Sequence, residues 1–361
     1  MNKRYYLALA TLLWFVGLAS GQTKRLDLDQ IFGSKPSLTK PIPLIRGWAD
    51  AEHYIEVDPT NRFQFKVHFK TGERTPYTPS PERDVDVIIQ DNDLFFRRRA
   101  EPLQQLTFSP DVAEKNPTLS PDNQYVAFTR GHDLYAIRIV DGKEIRYTTD
   151  ATDVIYNGWA SWVYYEEILG RSSNYKAFWW SPDSRTIAFM RFDDSNVPMF
   201  PIYISKGHHG YLEETRYPKA GDPNPTVRIG FVPVEGGHVI WADFDEQEDQ
   251  YFGQPYWSFD SHNLMVQWMN RDQTNLKFYQ IDRLTGDKQQ IYDEWQDSWI
   301  DLSHEERITY LKDNKHYILK SDQTGWAHYY LYTLGGKLVN PITSGKWQVV
   351  SLELIDEKNK V

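Results

Sequence analysis

Hydrophobic and polar residues alternate along much of the chain in short runs that end at turn residues. Residues 124–129, 186–190 and 264–268 are examples, and each run follows a turn that contains serine and aspartate. A period of two is typical of β-strands, and Pro, Asp and Ser favour the turns between them. The pattern therefore predicts a protein built from many short strands.

The turn and its strands recur as a weak internal repeat. Residues 120–122 and 181–183 read Ser-Pro-Asp, and residues 258–260 read Ser-Phe-Asp. After two of these turns a third and a fourth strand follow, at 133–139 with 143–148 and at 275–281 with 288–292. Four strands per repeat indicate the blades of a β-propeller. The alternative is a β-sandwich, which also has turns about every 8–12 residues.

The repeats are unevenly spaced. Ser120, Ser181 and Ser258 lie 61 and 77 residues apart, whereas a blade needs only about 40–50 residues. We therefore expect insertions near 151–176 and 196–240. A further blade is predicted over 307–341, and residues 347–355 read as the first strand of another. This gives about four or five blades, and we expect the propeller to be truncated.

The N-terminus has the pattern of a cleavable secretory signal. Lys3 and Arg4 precede an apolar run at 7–19, and small residues follow at 19–21. The alternative, an uncleaved anchor, is disfavoured because a membrane span needs about 20 apolar residues. We therefore expect a signal peptide at 1–21 and a propeller domain at 22–361. The protein is expected to be exported, periplasmic or secreted, without stable membrane insertion.

Composition narrows the classes of function. The net charge is −10 and there is no basic stripe, which argues against nucleic-acid binding. The chain has no cysteine, which excludes disulfides, thiolate metal sites, cysteine nucleophiles and a lipoprotein anchor. The 13 Trp, 23 Tyr and 18 Phe favour strands and supply a large buried area.

The most informative candidate site is a pair of acids beside aromatic residues. Glu166 and Glu167 follow Trp162, Tyr164 and Tyr165. Adjacent carboxylates that are hard to solvate favour a cationic partner such as a primary ammonium group. The alternative is a solvated acidic pair on a surface helix. Neighbouring residues of a regular helix do not share a face, so both acids can meet one ligand only on an irregular turn.

Two other polar pairs suggest metal sites only weakly. His208 and His209 are adjacent and point apart on a strand, and no third ligand has suitable spacing. Asp193 and Asp194 lack the spacing of a calcium loop, so a structural turn is the better interpretation. We predict no metal and no cofactor.

A collinear set of motifs resembles the N-terminal β-propeller of the dipeptidyl peptidase IV family. It covers roughly residues 110–361 and comprises the segments 155–168, 178–183, 191–194, 197–198, 216–221, 224–225, 322–328 and 342–347. The sequence departs from the family pattern at Ser161 and Tyr165, where the family often has aspartate and glutamate. Neither change removes Glu166 or Glu167.

The resemblance implies a role for the acidic pair. In that family two glutamates bind the N-terminal ammonium of peptides whose second residue is proline or alanine, and by the motif these are Glu166 and Glu167. The expected partners are therefore peptides with a free N-terminus. The family also holds the substrate carbonyl with an arginine. Arg97, Arg98 and Arg99 lie near the expected place, although a basic strand edge explains them equally well.

The resemblance also implies that substrate binding and catalysis lie in different domains. The family propeller has eight blades, and the nucleophilic serine lies in a Gly-x-Ser-x-Gly elbow of a following α/β-hydrolase domain. This sequence has no such elbow, so we assign no catalytic residue here. The implied whole protein is a serine dipeptidyl peptidase that can form a homodimer. The alternative is a non-catalytic propeller that serves as an interaction module or is a fragment with no activity of its own.

Overall fold

The fold is almost entirely β-strand. The computed structural model describes residues 42–59, 61–78, 85–99, 101–300 and 308–357. The helical elements within these ranges are a π-helical turn, Tyr164–Ile168, and a 3-10 turn, Arg171–Ser173. The chain divides into two compact units, Met1–Ser80 and Pro81–Val361. The predicted signal peptide at 1–21 lies outside the described residues.

The first unit contains one antiparallel sheet of four strands in sequence order. These strands are β1 (Leu44–Trp48), β2 (His53–Val57), β3 (Gln64–His68) and β4 (Arg74–Tyr77). Val57 and Val67 are buried, and the pairing of β2 with β3 places them on opposite faces of the sheet.

The second unit contains five blade-type antiparallel sheets and a separate two-stranded hairpin, and the strands of each blade follow one another in the chain except in the third, which the hairpin interrupts. The first two comprise β5 (Val85–Gln90), β6 (Asp93–Arg98) and β7 (Gln104–Gln105), then β8 (Glu114–Leu119), β9 (Tyr125–Arg130), β10 (Asp133–Arg138) and β11 (Glu144–Arg146). The third comprises β12 (Ile155–Asn157), β13 (Phe178–Trp180), β14 (Thr186–Asp193), β17 (Thr226–Pro233) and β18 (Ile240–Trp241), with a separate hairpin of β15 (Met199–Ile204) and β16 (Tyr211–Arg216). The last two comprise β19 (Gln250–Phe252), β20 (Tyr256–Trp257), β21 (Asn263–Asn270), β22 (Asn275–Asp282) and β23 (Lys288–Trp295), then β24 (Ile308–Tyr310), β25 (His316–Ser321), β26 (His328–Thr333) and β27 (Leu338–Pro341).

Each of these five sheets packs against the next one in the chain. In β9, Tyr125 and Ala127 join the hydrophobic cluster shared with the third sheet, whereas Val126 and Phe128 join the cluster shared with the first. Successive side chains of a strand point to opposite faces, so a sheet between two neighbours needs apolar residues at nearly every position. This explains why all four of these residues are buried. The propeller fold class is thereby confirmed.

The Ser-x-Asp turns join the first and second strands of three sheets. In the third sheet, Ser181 Oγ donates to Asp183 Oδ1 (2.6 Å) and accepts the backbone N–H of Thr186 (3.0 Å). Ser120 and Ser258 make the same pair of contacts in their own turns. The serine hydroxyl therefore satisfies buried backbone donors that the turn leaves without a ladder partner.

The same turns also link neighbouring sheets. The backbone N–H of Asp122 donates to Ser184 Oγ of the next turn (3.0 Å), and that of Asp183 donates to Ser261 Oγ (3.0 Å). Asp260 continues the series by accepting from Asn314 Nδ2 (2.9 Å). Ser184 and Ser261 have positive φ angles of 62° and 64°, so the two turns share this backbone conformation as well as the link to the preceding blade.

The sequence predictions need three corrections. The sheets β1–β4 and β5–β7 lack the Ser-x-Asp turn and were missed, so the described chain has six blade-type sheets rather than four or five. The insertion expected at 196–240 is narrower, because β17 and β18 belong to the blade itself.

Residues 347–355 do not form the predicted strand. Their one backbone bond to the rest of the described chain runs from Val349 N–H to Ala327 C=O (2.9 Å), too little to make a ladder.

The turn serines provide a first test. We expect Ser181→Ala to lower the free energy of unfolding by about 1–3 kcal/mol, because it leaves the buried backbone N–H of Thr186 without its acceptor. Denaturant unfolding followed by tryptophan fluorescence measures this change. Ser172→Ala, at an exposed position in the 3-10 turn, is the matched control and should stay within about 0.5 kcal/mol. Equal effects of the two substitutions would contradict the role given to the turn.

Candidate functional site

The glutamate pair lies in a loop that interrupts the first strand of the third sheet. Both β12 and β13 pair with β14, and the chain between them leaves the sheet and returns. Ala177 N–H donates to Gly158 C=O (2.9 Å), and Trp159 forms a β-bridge with Lys176. Gly158 has φ = 70°, and a Cβ there would lie 3.2 Å from Leu134 Cδ1, so the exit from the strand requires glycine.

The two glutamates are part of a single π-helical turn. Leu169 N–H donates to Tyr164 C=O (2.7 Å), which closes the wide i→i+5 turn. Such turns are rare and occur often at functional sites. We expected that the two glutamates could meet one ligand only on an irregular turn. The backbone of this segment is irregular in that sense.

Tyr164 fastens this turn to the core. Its side chain is 1% exposed, packs edge-on against Phe192 with ring centroids 4.8 Å apart, and accepts the backbone N–H of Phe252 through its hydroxyl (3.1 Å). Burial raises the pKa of the Tyr164 phenol well above its usual value. The turn is thus held by a neutral, hydrogen-bonded side chain that reaches the fourth sheet.

The two carboxylates have different surroundings. The Glu166 side chain is 14% exposed, and its Oε2 lies 2.5 Å from Nε of Arg171. Glu167 is exposed and has no ion pair or side-chain hydrogen bond within the described residues. The Arg171 side chain is 74% exposed. One acid is therefore largely enclosed and paired with an exposed cation, and the other is open to solvent.

A stack of aromatic rings supports the turn from one side. The rings of Tyr165 and Tyr175 are parallel with centroids 3.8 Å apart, and Tyr175 stacks in turn on Trp159 at 4.8 Å. Tyr165 occupies the position where the sequence departs from the acid-rich motif. In this chain an aromatic contact therefore stands where a third carboxylate would add like charge beside Glu166.

A buried carboxyl group lies beneath the start of the turn. Asp194 is 1% exposed; its Oδ2 accepts a hydrogen bond from Ser161 Oγ (3.0 Å), and its Oδ1 has no partner in the described chain. Ser161 C=O in turn accepts the N–H of Tyr165 (3.0 Å). Burial raises the pKa of Asp194 to about 7. A protonated Asp194 can therefore lie at the base of the turn near neutral pH.

The remaining sequence candidates are dispersed. Arg97 pairs with Asp86 (3.4 Å), whereas Arg98 points to the other side of β6 and lines a cavity. His208 and His209 lie in the tip of the β15–β16 hairpin with ring centroids 6.1 Å apart. No group of three or more metal-ligating side chains occurs in the described ranges.

Two of the polar partners could not be found from the sequence pattern. Arg171 lies five residues after Glu166, beyond the π-helical turn, so no helical spacing indicates the pair. Asp194 meets Ser161 only because β12 and β14 are paired. The pair Asp193–Asp194 was interpreted as a structural turn, and Asp193 does cap such a turn by accepting the N–H of Ser195 (2.9 Å). No helix among the described residues is long and apolar enough to cross a membrane.

Comparison with known proteins gives concordant matches. Residues 95–361 match the family model described as the dipeptidyl peptidase IV N-terminal region. A probable dipeptidyl peptidase 4 of Aspergillus flavus is 30% identical over 283 residues, which are 74% of this chain and 36% of the relative. The dipeptidyl peptidase 4 of Trichophyton rubrum is 31% identical over 253 residues, 67% of this chain and 32% of the relative. The chain therefore spans about a third of the length of these curated relatives.

The solved structures agree on the fold. Porphyromonas gingivalis dipeptidyl peptidase 4 superposes with a TM-score of 0.69 at 22% identity, covering 92% of this chain and 51% of that protein. A putative dipeptidyl aminopeptidase IV from Bacteroides ovatus gives a TM-score of 0.60 at 20% identity, covering 83% and 46%. At these identities the likeness concerns the fold alone.

The buried carboxyl predicts a pH dependence of stability. The pKa of Asp194 is about 7 in the folded protein, whereas the ordinary value, which applies to the unfolded chain, is 3.8. Asp194 therefore binds its proton more tightly in the folded state. Its contribution to stability is complete below about pH 4 and is lost as the pH rises through 7, a change of at most about 4 kcal/mol. Unfolding of wild type and Asp194→Asn at pH 4.5 and pH 8 measures it.

We expect wild type to lose more stability than Asp194→Asn between these two pH values. Asp153→Asn, which removes an exposed carboxylate near the same strand, should behave as wild type does. If Asp194→Asn showed the same pH dependence as wild type, the buried carboxyl would have to be ionised in the folded state.

Proposed function

The chain belongs to the dipeptidyl peptidase IV family through its N-terminal region, and from this premise we propose that it binds the free N-terminus of peptide substrates. The observation that carries the proposal is the anchored π-helical turn with its two adjacent acids, Glu166 half-enclosed and Glu167 open to solvent. A primary ammonium group has three donors and a positive charge, and such charge-assisted hydrogen bonds are the stronger kind.

The ion pair of Arg171 is compatible with this role. Pairs between exposed charges contribute only about 0–1 kcal/mol, and the Arg171 side chain is largely in solvent. An incoming ammonium can replace the guanidinium at Glu166, or it can bind Glu167 while Arg171 remains. A peptide with a blocked N-terminus offers neither charge nor donors and would leave both acids unchanged. Selection for a free amine follows from that difference.

For the whole protein we propose an exported serine dipeptidyl peptidase. It would remove N-terminal X-Pro and X-Ala dipeptides, with the nucleophilic serine, histidine and oxyanion hole on a separate hydrolase domain. This propeller region would hold the amine and set the distance from the N-terminus to the cleaved bond. The signal-like N-terminus supports an exported location, periplasmic or secreted. The second candidate, a non-catalytic interaction module, is favoured only if the chain binds peptides without regard to the amine.

Amine selection can be tested on this chain alone. We expect the amide of Ala-Pro to bind and its N-acetylated form to bind at least about tenfold more weakly, because only the former carries an ammonium. Isothermal titration or a ligand-observed NMR titration measures both. Glu167→Gln should remove most of the difference, whereas Glu101→Gln, at an exposed position between β6 and β7, should retain it. Equal affinity for the two peptides would contradict the amine anchor and support the interaction module.

Catalysis by the whole protein provides a second test. In a polypeptide that includes the hydrolase domain, we expect release of Gly-Pro from a chromogenic amide. Glu166→Gln or Glu167→Gln should lower kcat/KM by about 30- to 1,000-fold, equivalent to about 2–4 kcal/mol for removing one partner of an enclosed charge pair. Near-normal kcat/KM in both variants would exclude the anchor while leaving the peptidase activity in place.

A further inference from the structure

A second polar site lies in a cavity between the first strands of the sheets. The cavity has a volume of about 820 Å³ and is lined from four sheets of the second unit. Thr118 and Leu119 come from β8, Trp179 and Trp180 from β13, and Trp257 from β20. The first strands therefore converge on this space, which is large enough for a small ligand.

The cavity is positively charged, in contrast to the π-helical turn Tyr164–Ile168, which carries Glu166 and Glu167. Its two ionisable lining residues are Lys176 and Arg98, and none of its lining residues is acidic. Neither cation has an ion pair in the part of the chain that the structure describes. Lys176 lies over the ring of Phe178 and Arg98 over that of Phe96, so two cations without a counter-ion line one cavity of a protein whose net charge is −10.

Lys176 is held away from water. It lies at the return of the glutamate loop, where its backbone bridges to Trp159, and its side chain is only partly exposed. Burial lowers the pKa of the Lys176 ammonium, with no neighbouring carboxylate to oppose the shift. An enclosed cation without a counter-ion is unfavourable for the free protein, and an anionic ligand would relieve that cost.

The aromatic walls are fixed before any ligand arrives. Trp180 Nε1–H donates to Thr118 C=O (3.0 Å), and Trp257 Nε1–H donates to Trp179 C=O (3.3 Å). Each bond joins one sheet to the next, so the indole rings are oriented by the packing of the blades. The indole N–H groups of Trp180 and Trp257 are already hydrogen-bonded, so these two rings present apolar surface to the cavity. A ligand here needs an apolar or aromatic body as well as an anionic end.

We propose that this cavity is a binding site for carboxylates with an apolar body, held by Lys176 and Arg98 against the three tryptophans. The C-terminal end of a short peptide has this chemistry. The site goes beyond the amine anchor and does not depend on it, because a carboxylate without an amine can occupy it.

Tryptophan fluorescence of the full chain tests the proposal with 4-phenylbutyrate as the probe. We expect saturable quenching by 4-phenylbutyrate and at least about tenfold weaker binding of 4-phenylbutylamine, which has the same body and the opposite charge. Inorganic phosphate should compete poorly, because it lacks the apolar body. The probe has no amine, so the glutamate pair cannot account for its binding. Equal binding of acid and amine, or tight binding of phosphate alone, would overturn the ligand class.

Variants assign the site to its residues. Lys176→Gln and Arg98→Gln should each weaken binding of 4-phenylbutyrate by about tenfold or more, and Lys176→Arg should retain it. Lys143→Gln, an exposed cation of the turn before β11, is the matched control and should have wild-type affinity. Circular dichroism and the unfolding midpoint establish that each variant is folded. If Lys176→Gln does not fold, Lys176→Arg and Arg98→Gln still decide the outcome. Unchanged affinity in Arg98→Gln, or a loss of affinity in Lys143→Gln as large as that in Lys176→Gln, would refute the site.

Discussion

The structure of the second unit depends on how one sheet is joined to the next. The Ser-x-Asp turn does this with backbone groups as well as with side chains: its serine closes its own turn, and its aspartate N–H is accepted by the hydroxyl of the following turn. Hydrophobic packing between sheets is strong but non-directional. The directional bonds between Asp122, Ser184, Asp183 and Ser261 fix the register in which those apolar faces meet.

That register has consequences for the first strands of the sheets in the second unit. Because the first strands of successive sheets are linked at their turns, Trp180 and Trp257 can each donate to the strand of the preceding sheet. The same arrangement leaves room on the third sheet for a loop that departs from β12 and returns to β13 without disturbing the ladder with β14. The glutamate turn and the tryptophan-lined cavity thus both follow from the way the first strands are spaced.

Much of this architecture could be predicted from the sequence, and the reasons are local. The Ser-x-Asp turns and the alternating runs identify β9, β14 and β21 directly, because turn chemistry and the strand period act over a few residues. The sheets β1–β4 and β5–β7 lack that turn, and nothing local marks them as blades. Residues 347–355 have a strand-like composition, yet a strand also needs neighbours that supply hydrogen bonds, which composition does not reveal.

The candidate site could be predicted in part. Glu166 and Glu167 could be selected from their aromatic surroundings and the motif order. Their unequal environments could not, because Arg171 reaches Glu166 across an irregular turn and Asp194 reaches Ser161 across a sheet.

The loop between β12 and β13, which carries the two glutamates, closes on itself at the sheet. Since Ala177 donates to Gly158, the loop begins and ends at one point of the scaffold, much as a hairpin turn does. The ladder with β14 therefore does not depend on the exposed residues of the loop, which could change without repacking the core as long as Tyr164 keeps its buried position.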